Sequence, residues 1–265
     1  MPDSLDRRTF AQLALTGLLC ACAGPAAAQA PRPPAEEWRG VWLTRFEWTD
    51  GSRQDIEARL SGAMRALGAG NFNGVVFQVR GQGDTLYPSP LEPWSPMLSA
   101  DARTGDPVAF AIREAHRNGL QFHAWLNLSV IWQSKSRASP SDPRHPFFRW
   151  TNPRDKSRAL GAVWKSPTEP QIYGVDDYVW LNAGNPELEA YQRSVVVDFL
   201  RRYSVEGLHF DDRTALPHGA SMDPVSRARF AGPGNPHGLN DMAAWQHEQL
   251  GRLFTNVYVQ ATAMN

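Results

Sequence analysis

Three apolar segments of this chain end alike: each keeps one greasy face and turns polar on the other toward its C-terminus. Over residues 72–80, Phe77 and Val79 share one side and Gln78 and Arg80 the other. Over residues 122–129, Phe122, Ala124 and Leu126 oppose His123, Trp125 and Asn127. Over residues 205–211, Leu208 and Phe210 oppose Gly207, His209 and Asp211. Side chains alternate along a strand, so each segment has one face for helices and one face carrying polar groups at a common end. A doubly wound sheet is covered by helices on both sides and reads apolar throughout. A parallel barrel has its helices outside and gathers its chemistry where the strand C-termini meet. The pattern predicts an α/β fold of the (β/α)8 TIM-barrel type.

Helix signals fall between these strands. Ser52 with Asp55 makes a capping-box-like start to a helix reaching Ala69, with Gly70 as the expected left-handed terminator. Asp106-Pro107 opens a second helix that ends at Asn118-Gly119. Asn185-Pro186 opens a third, with Leu188, Tyr191, Val195 and Phe199 on one stripe. An earlier strand spans residues 41–43. Its facing is open, because Arg45 and Glu47 fall on one side and Trp42 and Thr44 on the other. The last helix starts near Asp241, and the spacing of Trp245, Leu250, Phe254 and Val257 argues against a fifth strand. The length of 265 residues suits one whole barrel. Yet an N-terminal segment and two long loops, 81–105 and 130–184, consume much of it. Only about the first four βα units are counted, so residues 38–265 are expected to be the N-terminal portion of a barrel cut short. Loops this long are functional or disordered as a rule. Trp94, Trp132, Trp150, Trp164, Tyr173 and Trp180 within them favour packed, ligand-covering loops.

Residues 1–30 read as an export signal rather than as fold. Arg7-Arg8-Thr9-Phe10 resembles a twin-arginine signal, an apolar run covers residues 13–19, and small residues precede Ala30. Both cysteines lie here, and Leu19-Cys20-Ala21-Cys22 also resembles a lipobox, with Cys22 as the residue to be lipidated. The chain is expected outside the cytoplasm, in the periplasm or anchored to a membrane facing it. Residues 31–37 form an extended linker. Lys+Arg and Asp+Glu each number 27, so neither a nucleic-acid footprint nor a polybasic membrane patch is present. Membrane attachment would come through the lipid alone.

Asp211-Asp212 is the sharpest chemical feature. A carboxylate at the top of a barrel strand suits nucleophilic or acid–base work on a glycosidic bond, and parity turns Asp211 inward with His209. Asp212 then acts in support. The plainer alternative has Asp211 satisfying loop amides or pairing with Arg80. Arg80, Asp84, Glu92, Trp94, His123, Trp125, Asn127 and His209 are the candidate substrate contacts. Asp84 and Glu92 could also supply a second carboxylate. His123 and His209 could hold a metal with Asp211, but no tight ligand spacing such as HExxH occurs, and neither a metal nor a cofactor is expected.

The segments Trp38-Arg39-Gly40-Val41-Trp42, Phe77-Gln78-Val79-Arg80, Gly83-Asp84-Thr85-Leu86-Tyr87-Pro88-Ser89, Glu92-Pro93-Trp94-Ser95, His123-Ala124-Trp125-Leu126-Asn127 and Gly207-Leu208-His209-Phe210-Asp211-Asp212 together resemble glycosyl hydrolase-like family ten. The resemblance implies an exported (β/α)8 glycosidase acting on a bacterial polysaccharide, with peptidoglycan glycan strands as the substrate class. Two departures stand out. After Asn127 the family usually continues Pro-Tyr-Arg, and here it is Leu128-Ser129-Val130. An aromatic usually follows the Asp pair, and here Arg213 does, which is expected to hold both acids ionised. A truncated, inactive glycan-binding fragment and a metal-dependent hydrolase remain the alternatives.

Overall fold

The computed structural model describes residues 37–136, 138–151, 178–214 and 223–264. The export segment with Cys22, and Trp164 and Tyr173, lie outside them. The first half runs β1 (Gly40–Leu43), α1 (Arg53–Ala69), β2 (Gly74–Arg80), α2 (Pro107–Arg117) and β3 (Gln121–Leu126). There follow β4 (Val130–Gln133), α3 (Pro146–Thr151), β5 (Tyr178–Trp180), α4 (Pro186–Arg202), β6 (Gly207–His209), α5 (Pro224–Phe230) and α6 (Met242–Met264). Strands β1, β2, β3 and β6 form one sheet in that order, every pair parallel. Strands β4 and β5 make a separate antiparallel ribbon inside the second long loop.

The apolar faces anticipated from alternation meet the helices. Val75, Phe77 and Val79 of β2 and Phe122, Ala124 and Leu126 of β3 join one core with Ile56, Leu60 and Met64 of α1, Val108 and Ala111 of α2, and Leu188, Val195 and Phe199 of α4. Val41 and Leu43 pack against that core, so Trp42 points to the opposite face. That resolves the open facing of β1. Parity fails beyond Leu43 because Arg45–Glu47 is a turn of 3-10 helix, in which Arg45 becomes buried.

The capping box of α1 forms as expected, with Ser52 accepting from the Asp55 backbone N–H. Its other end corrects the expectation. Gly70 has φ −79 and serves as the C-cap, while the left-handed residue is Asn71 at φ 62. Asn71 N donates to Gly68 O and Phe72 N to Leu67 O, the Schellman pattern with Asn71 at C′. Gly119 at φ 71 does the same after α2, with Leu120 N donating to Ala115 O. The last helix covers residues 257–259, as its spacing required.

Loop 81–105 is packed rather than loose. Leu86, Tyr87 and Leu98 are buried, and Leu86 N donates to Val79 O at the end of β2. Tyr87 meets Phe199 and Tyr203 edge-on, which ties the loop to α4.

Candidate active site

The free face of the sheet carries an aromatic layer. Trp42 meets Trp125 edge-on at 4.9 Å and His209 edge-on at 4.1 Å. Trp38 lies 5.3 Å from the His123 ring, and its indole lies over Gly40 and Gly74. A Cβ on Gly74 would sit 2.6 Å from Trp38 Nε1, so only glycine leaves room there. Trp38 and Trp42 remain 44% and 45% exposed, which leaves this face accessible. Neither was among the candidate residues. Their signal was alternation through Trp38, Gly40 and Trp42, obscured by the mixed sides of residues 42–47.

Asp211 follows β6 at the C-terminal end of this face. Its Oδ1 accepts from Arg213 N at 3.0 Å, and the Trp125 indole N–H lies near enough to favour its charged form. Burial nevertheless pushes the Asp211 carboxyl above its ordinary value, and neighbouring Asp212 adds to that. Arg213 was expected to hold both acids ionised. Its guanidinium instead lies over the Tyr178 ring, 4.7 Å from the centroid, and 3.8 Å from Asp212. The desolvation of Asp211 outweighs it. Asp212 is 79% exposed. His123 and His209 both have lowered pKa values, chiefly from burial, so the face carries neutral imidazoles near pH 7.

Arg80 and Glu92 were expected as substrate contacts, and Arg80 equally as half of a structural ion pair, for which Asp211 was the partner considered. They find each other instead. Arg80 Nε donates to Glu92 Oε2 at 2.8 Å and Nη2 to Oε1 at 2.6 Å, with both side chains fully enclosed. Arg80 also donates to the Asn127 carbonyl, and the Tyr191 hydroxyl donates to Glu92. The Glu92 charge and the hydrogen bonds made to it raise Arg80 further against the downward pull of burial. No atom of this pair is left for a ligand, so the buried ion pair is structural. Asn127 is buried, with its Oδ1 unpartnered at the top of β3. Asp84 is buried and accepts from Gln82 N at 3.1 Å. Trp94 lies apart from the Asp211 layer, on a cleft that it shares with Trp132 and His145. Among the described residues, no cluster of three or more His, Cys, Asp or Glu is placed to hold a metal ion.

The free face of this parallel α/β sheet thus runs from Trp38, over the first residues of β1 and β2, to Trp125, His209 and the half-buried Asp211 toward the C-terminal edge. The chain belongs to the family described as glycosyl hydrolase-like 10, whose model matches residues 37–264. Glycosyl hydrolase DigH of Escherichia coli (strain K12) is 28% identical over 95% of this chain and 61% of its own length. Glycosyl hydrolase YngK of Bacillus subtilis (strain 168) is 24% identical over 83% of this chain and 41% of its own. The chain thus spans less than two thirds of these relatives. A solved structure of α-L-fucosidase isoenzyme 2 from Paenibacillus thiaminolyticus superposes with a TM-score of 0.50 at 13% identity, over 86% of this chain and 31% of that one. That likeness is one of fold.

Proposed function

We propose that this chain forms the first four βα units of a (β/α)8-type glycoside hydrolase, with Asp211 as a catalytic carboxylate. The observation that carries the reading is Asp211 itself: a carboxyl raised by burial just past the C-terminal end of β6, near Trp125, whose indole belongs to the ring cluster with Trp42 and His209. Indole faces stack on the apolar faces of pyranose rings, and a carboxyl with a raised pKa can give a proton to a glycosidic oxygen. That favours a proton-donating role over the ionised nucleophile anticipated from Arg213. The substrate class that we propose is bacterial polysaccharide, foremost peptidoglycan glycan strands, as expected from the sequence motifs. Glycoside hydrolysis uses two carboxylates. With Glu92 locked to Arg80, Asp84 and Asp212 are the acids left among the candidate residues. For the N-terminal segment we propose an export signal, with two alternative cuts: beyond Ala28 or Ala30, which removes both cysteines, or before Cys22, which is then lipidated; the N-terminal mass of the mature protein distinguishes the two.

The test is incubation of the folded chain with peptide-free glycan strands. Release of reducing ends, lowered at least a thousandfold in Asp211→Asn with an unchanged near-UV dichroism spectrum, supports the reading. Full activity in that variant refutes it. A second reading, a glycan-binding chain without turnover, is favoured by the enclosure of Glu92 and the exposure of Asp212 to solvent. Binding without product in a folded chain selects it.

A further inference from the structure

A cleft of about 420 Å³ opens at the same end of the sheet, outside the Asp211 layer. Loop 81–105 supplies Trp94 and Arg103 to it, and the segment after β3 supplies Trp132, Asp142, Arg144 and His145. Its size falls in the range of small-ligand sites. Two indoles line it. The Trp132 ring is held in place, because Nε1 donates to Ala138 O at 2.7 Å and the ring meets His145 edge-on at 5.3 Å.

The charges in the cleft do not cancel. Arg144 is bound by both oxygens of Asp142, at 3.2 and 2.7 Å. Arg103 has no carboxylate partner among the described residues. Its Nη2 donates to Ser95 O at 3.1 Å, while Nε is buried without an acceptor. His145 accepts from Phe147 N through Nδ1, and burial lowers its pKa, so it adds no charge near neutral pH. One guanidinium is therefore left over beside two indoles.

We propose that this cleft is a saccharide subsite that takes a pyranose bearing a carboxylate, with Trp132 and Trp94 against the ring and Arg103 on the acid. The inference rests on the glycan reading above for its ligand class and adds the anionic sugar and the place that holds it. With Nε enclosed and one Nη2 hydrogen on Ser95 O, the Nη1 and remaining Nη2 hydrogens are the pair that would grip a carboxylate end-on, a geometry that an uncharged sugar cannot match. The cleft also connects to the surroundings of Asp211. Trp132 pairs with Val179 in the β4–β5 ribbon, and the preceding residue of β5, Tyr178, lies under Arg213.

The experiment uses the full chain carrying Asp211→Asn, titrated calorimetrically with three tetrasaccharides. Chitotetraose is neutral, a peptide-free peptidoglycan tetrasaccharide carries its carboxylates on lactyl ethers, and a hyaluronan tetrasaccharide carries them on the ring. At least one acidic ligand is expected to bind tenfold or more tighter than chitotetraose, and which one does identifies the carboxylate source. Adding Arg103→Gln should erase that margin while leaving chitotetraose affinity unchanged. Adding Trp132→Ala should weaken all three. Arg103→Lys, which keeps the charge and loses the fork, should retain part of the margin and serves if the Gln variant misfolds. Equal affinity for acidic and neutral ligands, a margin that survives Arg103→Gln, or no binding by the folded chain overturns the proposal. Hydrolysis is read separately on the wild-type chain. A chain that prefers acidic tetrasaccharides and cleaves none retires the hydrolase reading and leaves the subsite standing.

Discussion

Removing one partner of the Arg80–Glu92 pair strands a charge where no water reaches it. Both side chains are fully enclosed and joined by two hydrogen bonds. Glu92→Gln should cost about 3–5 kcal/mol in a urea titration, whereas replacing both residues with apolar ones of similar volume should recover most of it. Asp211 makes a prediction of opposite sign. Its folded carboxyl lies above the usual value because of burial. As pH rises past about 3.9, the unfolded chain releases this proton first, so stability falls until the folded group has ionised as well. Asp211→Asn should remove that fall and leave the variant more stable than wild type at pH 7, as read from urea midpoints at pH 4 and pH 7. Alternation along three strands was enough to bring His123, Trp125, His209 and Asp211 to one face. The Arg80–Glu92 bond was not legible, because it closes between a strand end and a loop twelve residues on, and no periodicity connects the two.

At the level of elements, caps were readable and ends were less so. Ser52 accepts the Asp55 N–H at the start of α1, so Ser52→Ala should lower stability by about 1 kcal/mol in the same titration. The close of α1 fell one residue beyond the expected glycine, because the bonds from Asn71 N and Phe72 N back to Gly68 and Leu67 put Asn71 rather than Gly70 at the left-handed position. Arg39 Nε donates to Asn71 O at 2.7 Å, which anchors Asn71 in the left-handed conformation that the turn requires. The β4–β5 ribbon went unanticipated. It joins Val130 to Trp180 across a long insertion, and its strands of four and three residues are too short for alternation to reveal. Of the predicted strand at 205–211, only Gly207–His209 pairs, since a strand at the edge of the described sheet has one ladder to hold it.

Over the whole molecule, the sheet is unevenly secured. Every residue of β2 is buried, and β2 is bonded on both sides, whereas β6 is three residues long and pairs only with β3 among the described strands. Amide hydrogen exchange should therefore be slowest in β2 and fastest in β6, with β1 and β3 between. Uniform protection across the four strands would contradict this layout. The accessible aromatic layer also makes the protein its own optical probe. Trp42 stands edge-on to His209, and a protonated imidazole quenches the fluorescence of an indole that it touches. Because burial lowers the His209 pKa, Trp42 emission should dim only below about pH 6.5, and Trp42→Phe should remove that share of the dimming while leaving what Trp38 beside His123 and Trp132 beside His145 contribute. A sugar that covers this face would shift the same emission to shorter wavelength, so occupancy of the face can be followed by light alone, without a label.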